Sequence, residues 1–283
     1  MIENQYCGII TIIGRTNVGK STLFNKLINQ KISITSHKIN TTQKNIVGIL
    51  TKKIYQYIFI DSPGFDTQKK IFFKKKILKD DITNKSCLIL FVIQALKWTL
   101  TDQKILEWII KKNVQYFIII NKIDLIKNKK LLLPFIKKIS QKNIFNKIFL
   151  LSAKKDFFLK KLISEIKKKI PKKKHIYLLK KKTTCTKKFL IKEILRKSLL
   201  KCLHQEIPYN IKILPPLIRK YKDKAYFIKI FIKVKNLRYK KILIGKNGKK
   251  IKFYRKSTKY ILEKMFKKKI YLIIIIILEK STF

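Results

Sequence analysis

One stretch of the sequence decides the fold of its first part, Gly14-Arg15-Thr16-Asn17-Val18-Gly19-Lys20-Ser21. It follows the apolar run 9–13 and precedes a segment with helical spacing of apolar residues, 22–28. The pattern G-x-x-x-x-G-K-[ST] between a strand and a helix is typical of a P-loop, whose backbone N–H groups surround phosphates. We therefore predict a phosphate-binding turn in which Lys20 reaches the β and γ phosphates and Ser21 ligates Mg²⁺.

Short β-branched runs alternate with longer helix-like segments through the first part of the chain. The runs are 9–13, 46–50, 57–60, 88–93, 116–120 and 148–151. This alternation predicts an α/β domain with a mainly parallel sheet and helices on both faces. We assign it to residues 1–172.

A second motif, Asp61-Ser62-Pro63-Gly64, follows the predicted strand 57–60. Its place at the carboxyl edge of the sheet lets Asp61 hold a water of the Mg²⁺ shell, and the Gly64 N–H meet the γ-phosphate. Phe65 stands where Ras-like switches have a glutamine that orients the attacking water. Because phenylalanine cannot do this, we expect slow intrinsic hydrolysis.

The base is predicted from Asn121-Lys122-Ile123-Asp124, which follows the run 116–120. A carboxylate at Asp124 can accept two hydrogen bonds from guanine, whereas adenine would leave both oxygens unpaired. Such unpaired buried acceptors cost several kcal/mol, so GTP and GDP are favoured over adenine nucleotides. Lys122 is expected to lie across the base and ribose, and the motif Ser152-Ala153-Lys154 to offer the Ala153 N–H to guanine O6.

A switch-loop ligand for Mg²⁺ is expected near Thr41-Thr42. Thr42 is the preferred candidate and Thr41 the alternative, since a loop of this kind becomes ordered by the γ-phosphate. The catalytic group predicted from the sequence is Lys20, Thr42 and Gly64. The metal group is Ser21, Thr42 and Asp61.

The formal charge of +54 has two explanations. A polyanion-binding surface is one, and an AT-rich coding sequence is the other, because only five of the 69 basic residues are arginine. The part after residue 170 is shorter than the part before it but more basic, which favours RNA binding there. The four cysteines are widely spaced and no secretory leader is visible, so we expect a reduced cytoplasmic setting.

The C-terminal part is predicted as a basic linker, 173–186, followed by an α+β RNA-binding domain, 187–283. Its expected element order is αββαβ, with the alternative that the helix at the glycine turn is split in two. The turn Gly245-Lys246-Asn247-Gly248 would let an RNA backbone pass closely, with about four unpaired bases beside it. The residues predicted to bind RNA also include Ile244, Lys249, Lys250 and Lys252.

The whole chain resembles the Era family of bacterial ribosome-assembly GTPases. Besides the motifs above, the strings similar to that family are Tyr6-Cys7-Gly8, 31–36, 46–49, Trp98-Thr99 and 207–209. The resemblance implies a GTPase domain followed by a type II KH domain that binds the 3′ end of small-subunit (16S) ribosomal RNA during assembly of the 30S subunit. We also expect the protein to be a monomer. Thr16 and Ser62 depart from residues usual in the family, proline and threonine, in loops whose phosphate contacts come from the backbone.

Two other functions are compatible with the sequence. An RNA-binding protein with a decayed GTPase is one, although Lys20, Ser21, Asp61 and Asp124 are all intact. Peripheral association of the lysines with an anionic inner membrane is the other, and it can coexist with a GTPase.

Overall fold

The computed structural model describes residues 4–29, 32, 45–65, 83–141, 147–155, 158–203, 211–221 and 225–279. The chain divides into two compact units, Met1–Thr184 and Cys185–Phe283. Each has a hydrophobic core of its own.

The first unit contains a six-stranded sheet. Its strands are β1 Tyr6–Ile13, β2 Ile46–Lys52, β3 Tyr55–Asp61, β4 Leu88–Gln94, β5 Tyr116–Asn121 and β6 Ile148–Leu150. Their order across the sheet is β2-β3-β1-β4-β5-β6, and only the β2 and β3 pair is antiparallel. The predicted mainly parallel α/β sheet is confirmed.

Helices cover both faces of this sheet. They are α1 Lys20–Leu27, α2 Leu100–Lys111, α3 Leu132–Ser140 and α4 Leu159–Lys167. The core under α2 and α3 contains alternate residues of the central strands, such as Phe91 and Ile118. α1 and α4 lie over the other face, where Leu27 and Ile166 line a small cavity together with Phe59. Because the strands are buried on both sides, their sequences are continuous apolar runs.

The segment 173–184, most of the predicted linker 173–186, is held on the first unit by hydrogen bonds. Gln56 of β3 is fully buried. Its Oε1 accepts from the backbone N–H groups of Ile176 and Tyr177, both at 2.9 Å, and its Nε2 donates to the Tyr177 carbonyl at 2.7 Å. Nearer the end of the segment, the Ile49 N–H of β2 donates to the Lys182 carbonyl at 2.8 Å.

Within its described residues, the second unit contains a four-stranded sheet and three α-helices. Its elements are α5 Lys187–Cys202, β7 Ile211–Ile213, β8 Leu217–Lys220, β9 Tyr226–Val234, α6 Leu237–Ile244, α7 Lys249–Phe266 and β10 Ile270–Leu278. β10 runs parallel to β9 along one edge, while β7 and β8 pair antiparallel with its other edge. The α+β class is confirmed.

Two details differ from the predicted order αββαβ. Residues 237–244 form a helix, so the glycine turn joins two helices, as in the split-helix alternative. The strand β8 was not predicted, because it is short and follows Pro215 and Pro216, which usually indicate a break in regular structure. The first strand of the predicted order is observed as β7, Ile211–Ile213, and residues 204–210 before it lie outside the described part.

Candidate functional site

The P-loop joins β1 to α1, as predicted. Gly14 has a φ of 152°, and a Cβ there would lie 2.2 Å from the Val92 carbonyl oxygen. Gly19, the N-terminal cap of α1, has a φ of 102°, and a Cβ there would lie 2.2 Å from Asn121 Nδ2. Both positions therefore require glycine, for backbone conformation and for space. The chain between them wraps around the amino end of α1, where partial positive charge favours anions.

Lys20, the first residue of α1, is buried. Its Nζ donates a hydrogen bond to the Arg15 carbonyl at 2.6 Å, across the mouth of the loop. Burial lowers the pKa of Lys20 to about 8; the Asp61 carboxylate opposes this shift and the Arg15 guanidinium adds to it. An anion at the loop would stabilise the charged amine that burial destabilises.

Ser21 and Asp61 meet beside the loop. Asp61 ends β3 and is fully buried. The Ser21 hydroxyl donates to Asp61 Oδ2 at 2.6 Å. A hydroxyl and a carboxylate so placed are oxygen ligands of the kind that Mg²⁺ uses together with phosphates and water.

The remainder of the Asp61 motif lies against the P-loop backbone. The Ser62 hydroxyl donates to the Ile12 carbonyl at 2.7 Å. The Phe65 N–H donates to the Gly14 carbonyl at 3.3 Å, and the Thr16 N–H donates to the Phe65 carbonyl at 3.2 Å. A Cβ at Gly64 would lie 2.8 Å from Thr16 atoms, so this glycine permits the close approach of the two loops.

The Phe65 side chain points into the protein. It is 3% exposed and belongs to the core that includes Ile13, Phe91 and Ala95. The residue at the position of the Ras-like glutamine is therefore part of the packing under the P-loop.

Asn121 connects three predicted motifs. It ends β5 and is buried. Its Nδ2 donates to the Val18 carbonyl of the P-loop at 2.8 Å, and its Oδ1 accepts from the Ala153 N–H at 3.0 Å. One side chain thus fixes the distance between the phosphate loop and the loop of Ser152, Ala153 and Lys154.

Asp124 lies in a short 3-10 turn, Ile123–Leu125. The Ser152 hydroxyl donates to Asp124 Oδ1 at 2.5 Å, which orients the carboxylate. Lys122 has a φ of 67°, and its Nζ donates to Gln94 Oε1 at 3.0 Å. Partial burial lowers the pKa of Lys122. These two contacts place four side chains at the carboxyl ends of β4, β5 and β6, namely Gln94, Lys122, Asp124 and Ser152.

Arg15 forms an ion pair that the sequence did not predict. Its Nε lies 2.7 Å from both carboxylate oxygens of Asp102, which is fully buried near the start of α2. Asp102 also forms a capping box with Thr99, accepting from the Thr99 N–H at 2.9 Å. The Arg15 side chain therefore joins the P-loop to the amino end of α2.

Sequence reasoning missed two residues of this site, Asp102 and Gln94. A signal for Asp102 does exist, since Thr99-Leu100-Thr101-Asp102 has a threonine and an acid at capping-box spacing before a helix. Gln94 has no such signal. Thr41 and Thr42 lie outside the described residues.

The glycine turn of the second unit lies between α6 and α7. Gly245 has a φ of 72°, Asn247 one of 50° and Gly248 one of 70°. The Gly248 N–H donates to the Gly245 carbonyl at 3.0 Å, which closes the turn. Lys246, Asn247, Lys249 and Lys252 are exposed, whereas Ile244 and Lys250 are partly buried. The turn presents backbone and lysine charge to solvent.

Comparison with known proteins identifies the family to which this chain is similar. A family model described as 50S ribosome-binding GTPase matches residues 9–122. GTPase Era of Buchnera aphidicola subsp. Acyrthosiphon pisum (strain Tuc7) is 42% identical over 275 residues, which cover 96% of this chain and 97% of the relative. This chain belongs to the Era family of GTPases.

Solved structures of Era match this chain over nearly its full length. A crystal structure of Era in complex with MgGDPNP and nucleotides 1506–1542 of 16S ribosomal RNA is 29% identical, with a TM-score of 0.90, and the match covers 98% of this chain and 95% of that one. A variant of Aquifex aeolicus Era bound to GDP.AlF4⁻ gives the same identity, coverage and TM-score. The predicted Era-type architecture and GTPase class are confirmed. Within the described residues, no helix is long and apolar enough to cross a membrane.

Proposed function

We propose that this protein binds and hydrolyses GTP in its first unit and binds the 3′ end of 16S ribosomal RNA through its second, acting in assembly of the 30S subunit. The observation that carries the nucleotide half is the bridge made by Asn121, which fixes the P-loop against the base loops. The Era relative in complex with MgGDPNP and 16S nucleotides supports both halves.

Guanine is selected by Asp124. Because Ser152 already holds one carboxylate oxygen, the carboxylate is oriented before the base arrives, and guanine offers two donors to it. Lys122 covers one side of the base, with its amine held by Gln94. Ala153 donates its N–H to guanine O6. In the structure this N–H donates to Asn121 Oδ1, and that contact holds the Ala153 backbone beside the base site.

The triphosphate and Mg²⁺ are held by the P-loop and the carboxyl end of β3. The backbone N–H groups of 14–21 surround the phosphates, and Lys20 exchanges the Arg15 carbonyl for the β and γ phosphates. Ser21 and Thr42 ligate Mg²⁺, which neutralises phosphate charge as it develops, and Asp61 holds a water of its shell. Ser62, Pro63 and Gly64 bring a backbone N–H to the γ-phosphate.

Hydrolysis is slow in the isolated protein. The Phe65 side chain is buried, so the attacking water is oriented by backbone groups or by other waters. Electrostatic stabilisation by Lys20, Mg²⁺ and the Gly64 N–H then supplies the catalysis.

RNA is bound at the glycine turn, residues 245–248. Gly245 and Gly248 let the sugar-phosphate backbone pass closely, and unpaired bases lie beside Ile244 and Asn247. Lys246, Lys249, Lys250 and Lys252 neutralise the phosphates. The protein acts as a monomer in the cytoplasm, and its lysines allow an additional peripheral association with anionic membrane.

Binding of a labelled RNA with 16S nucleotides 1506–1542 tests this function. Fluorescence anisotropy is measured with GDPNP and Mg²⁺, with GDP and Mg²⁺, and without nucleotide. We expect the tightest binding with GDPNP. Equal affinities in all three conditions would refute the nucleotide switch, and no binding in any of them would refute the RNA function.

Phosphate release under multiple turnover, with and without this RNA, separates a working GTPase from a decayed one. The variant Lys20→Ala is the control for phosphate release that does not depend on the P-loop. Co-sedimentation with anionic vesicles over a salt series tests the membrane association; protein that stays in the supernatant at low salt would exclude it.

A further inference from the structure

The sheet of the second unit is covered by helices on one face. The core packs the inward residues of β9 and β10, such as Ile230 and Ile274, against α5, α6 and α7. All three of these helices contribute to this one core. Among the residues of the unit that the structure describes, no helix lies over the opposite face of the sheet, called here the open sheet face.

The open sheet face has an unusual composition for a solvated surface. Its central strand β9 alternates aromatic and basic residues, Phe227, Lys229, Phe231 and Lys233. In register with them on β10 are Tyr271, Ile273, Ile275 and Ile277. On the other side of β9 lie Arg219 and Leu217 of β8 and Lys212 of β7.

The aromatic rings lie at or near the solvent. Tyr271 is 42% exposed and Ile273 is 40% exposed, while Phe227 and Phe231 are partly exposed. Lys229 Nζ lies 5.3 Å from the centre of the Phe231 ring, and Lys269 Nζ lies 5.5 Å from that of Tyr271. Positive charge therefore lies within cation–π distance of two rings, so a ligand that stacks on this face also meets cations.

The charges on the open sheet face have one sign. None of the outward positions named on β7, β8, β9 and β10 is acidic, and four of them are basic. A protein partner with an apolar surface would have to bury Lys229 and Lys233 without counterions, which is unfavourable. Unpaired RNA supplies phosphates for the lysines and flat bases for the rings.

We propose that the open sheet face is a second RNA-binding surface, which takes unpaired nucleotides beyond those held at the glycine turn. The proposal rests on the RNA function above. A glycine turn of this kind holds about four nucleotides, whereas the RNA bound by the Era relative runs from nucleotide 1506 to 1542. Four-stranded sheets with exposed aromatics stack two or three unpaired bases in other RNA-binding domains.

Two oligouridylates of different length separate the two surfaces. A probe of about 5 nucleotides reaches the glycine turn alone, and a probe of about 20 nucleotides extends beyond it. Phe227→Leu with Phe231→Leu keeps apolar side chains on the sheet but removes the stacking faces. We expect this variant to bind the long probe about tenfold or more weakly and the short probe as the wild type does.

Salt dependence tests the charge of the same surface. Lys229→Gln with Lys233→Gln should reduce the slope of log affinity against log salt by about 1.4 for the long probe, at about 0.7 for each phosphate that is no longer neutralised. The matched control is Lys160→Gln with Lys161→Gln, two exposed lysines of α4, which should leave this slope unchanged.

Three results would overturn the proposal. The first is that the variant with Phe227→Leu and Phe231→Leu binds the long probe as tightly as the wild type, and the second is that it binds both probes equally more weakly. The third is that its sedimentation changes while its RNA affinity does not, which would make the open sheet face an interface between two copies of the chain. Gly245→Asp with Gly248→Asp should weaken both probes. If it weakens the binding of neither probe, the assignment of RNA binding to the glycine turn is wrong. The open sheet face is tested separately, by the variants at Phe227 and Phe231 and at Lys229 and Lys233.

Discussion

The two units build their sites in opposite ways. In the first, buried side chains link loops from different strands, as Asn121 does for the P-loop and the Ala153 loop. In the second, a glycine turn closed by a backbone hydrogen bond forms the surface together with exposed lysines. In the proposed function, the first arrangement selects guanine by shape and by carboxylate acceptors that another base would leave unpaired. The second arrangement favours nucleic acid in general, through its positive charge and the exposed backbone of the turn.

The largest effect is expected from Asp124→Asn. It replaces a carboxylate acceptor by an amide donor toward the guanine amine and N1, and should weaken GTP by about 4 kcal/mol, roughly a thousandfold. Xanthosine triphosphate, which presents an acceptor there, should become the better ligand. Competition between the two nucleotides measures the change, with exposed Glu107→Gln as the control for removing one carboxylate. An unchanged base preference would contradict selection of guanine by the Asp124 carboxylate.

Lys20→Ala should follow, with a loss of about 3 kcal/mol in GTP binding, because the triphosphate loses a buried charged donor. Exposed Lys104→Ala removes the same charge elsewhere and should bind normally. Calorimetric titration distinguishes them. Wild-type affinity in the Lys20 variant would mean that the first unit, too, binds phosphate mainly through the backbone and general charge.

Gly245→Asp with Gly248→Asp addresses the second unit. Both positions have positive φ, and strain of about 1–3 kcal/mol at each residue combines with repulsion of phosphate. We expect RNA affinity to fall by about a hundredfold, and GTP affinity to stay unchanged. Anisotropy and calorimetry give the two values on one preparation. Loss of both affinities would mean that the second unit's turn supports the first unit's site.

A smaller effect is expected from Asp102→Asn. The amide oxygen can still accept from the Thr99 N–H, so the cap of α2 persists while Arg15 loses its charged partner. We expect about a tenfold loss in GTP affinity, in line with a charged hydrogen bond worth about 1.5–3 kcal/mol. Denaturation by urea, in parallel with the titration, separates lower stability from a displaced P-loop. If only stability falls, Arg15 and Asp102 serve the fold rather than the site.

The nucleotide unit could be predicted well because its signals are local. Strands buried on both faces are continuous apolar runs, and each motif follows its strand at the carboxyl edge, as at Ile13 and Asn121. What escaped prediction depends on interactions between residues distant along the chain. Gln56 binds the segment around Tyr177, and Arg15 binds Asp102, and no pattern near Gln56 or Arg15 indicates its partner.

The second unit was harder to predict for a related reason. Its glycine turn has a short pattern, but the strand β8 follows two prolines, and the helix 237–244 has an apolar content that also suits a strand. The strand β8 forms because it pairs with β9. The helix 237–244 is favoured by its cap at Asn236, where the Asn236 side chain accepts from the Tyr239 N–H at 2.9 Å.

Hydrogen–deuterium exchange of the full chain can locate the two ligands on their separate units. GDPNP with Mg²⁺ should protect amides in 14–21, 121–124 and 152–154, and RNA with 16S nucleotides 1506–1542 should protect amides in 244–252. RNA protection confined to the first unit, or nucleotide protection absent from 14–21, would contradict this division of binding between the units.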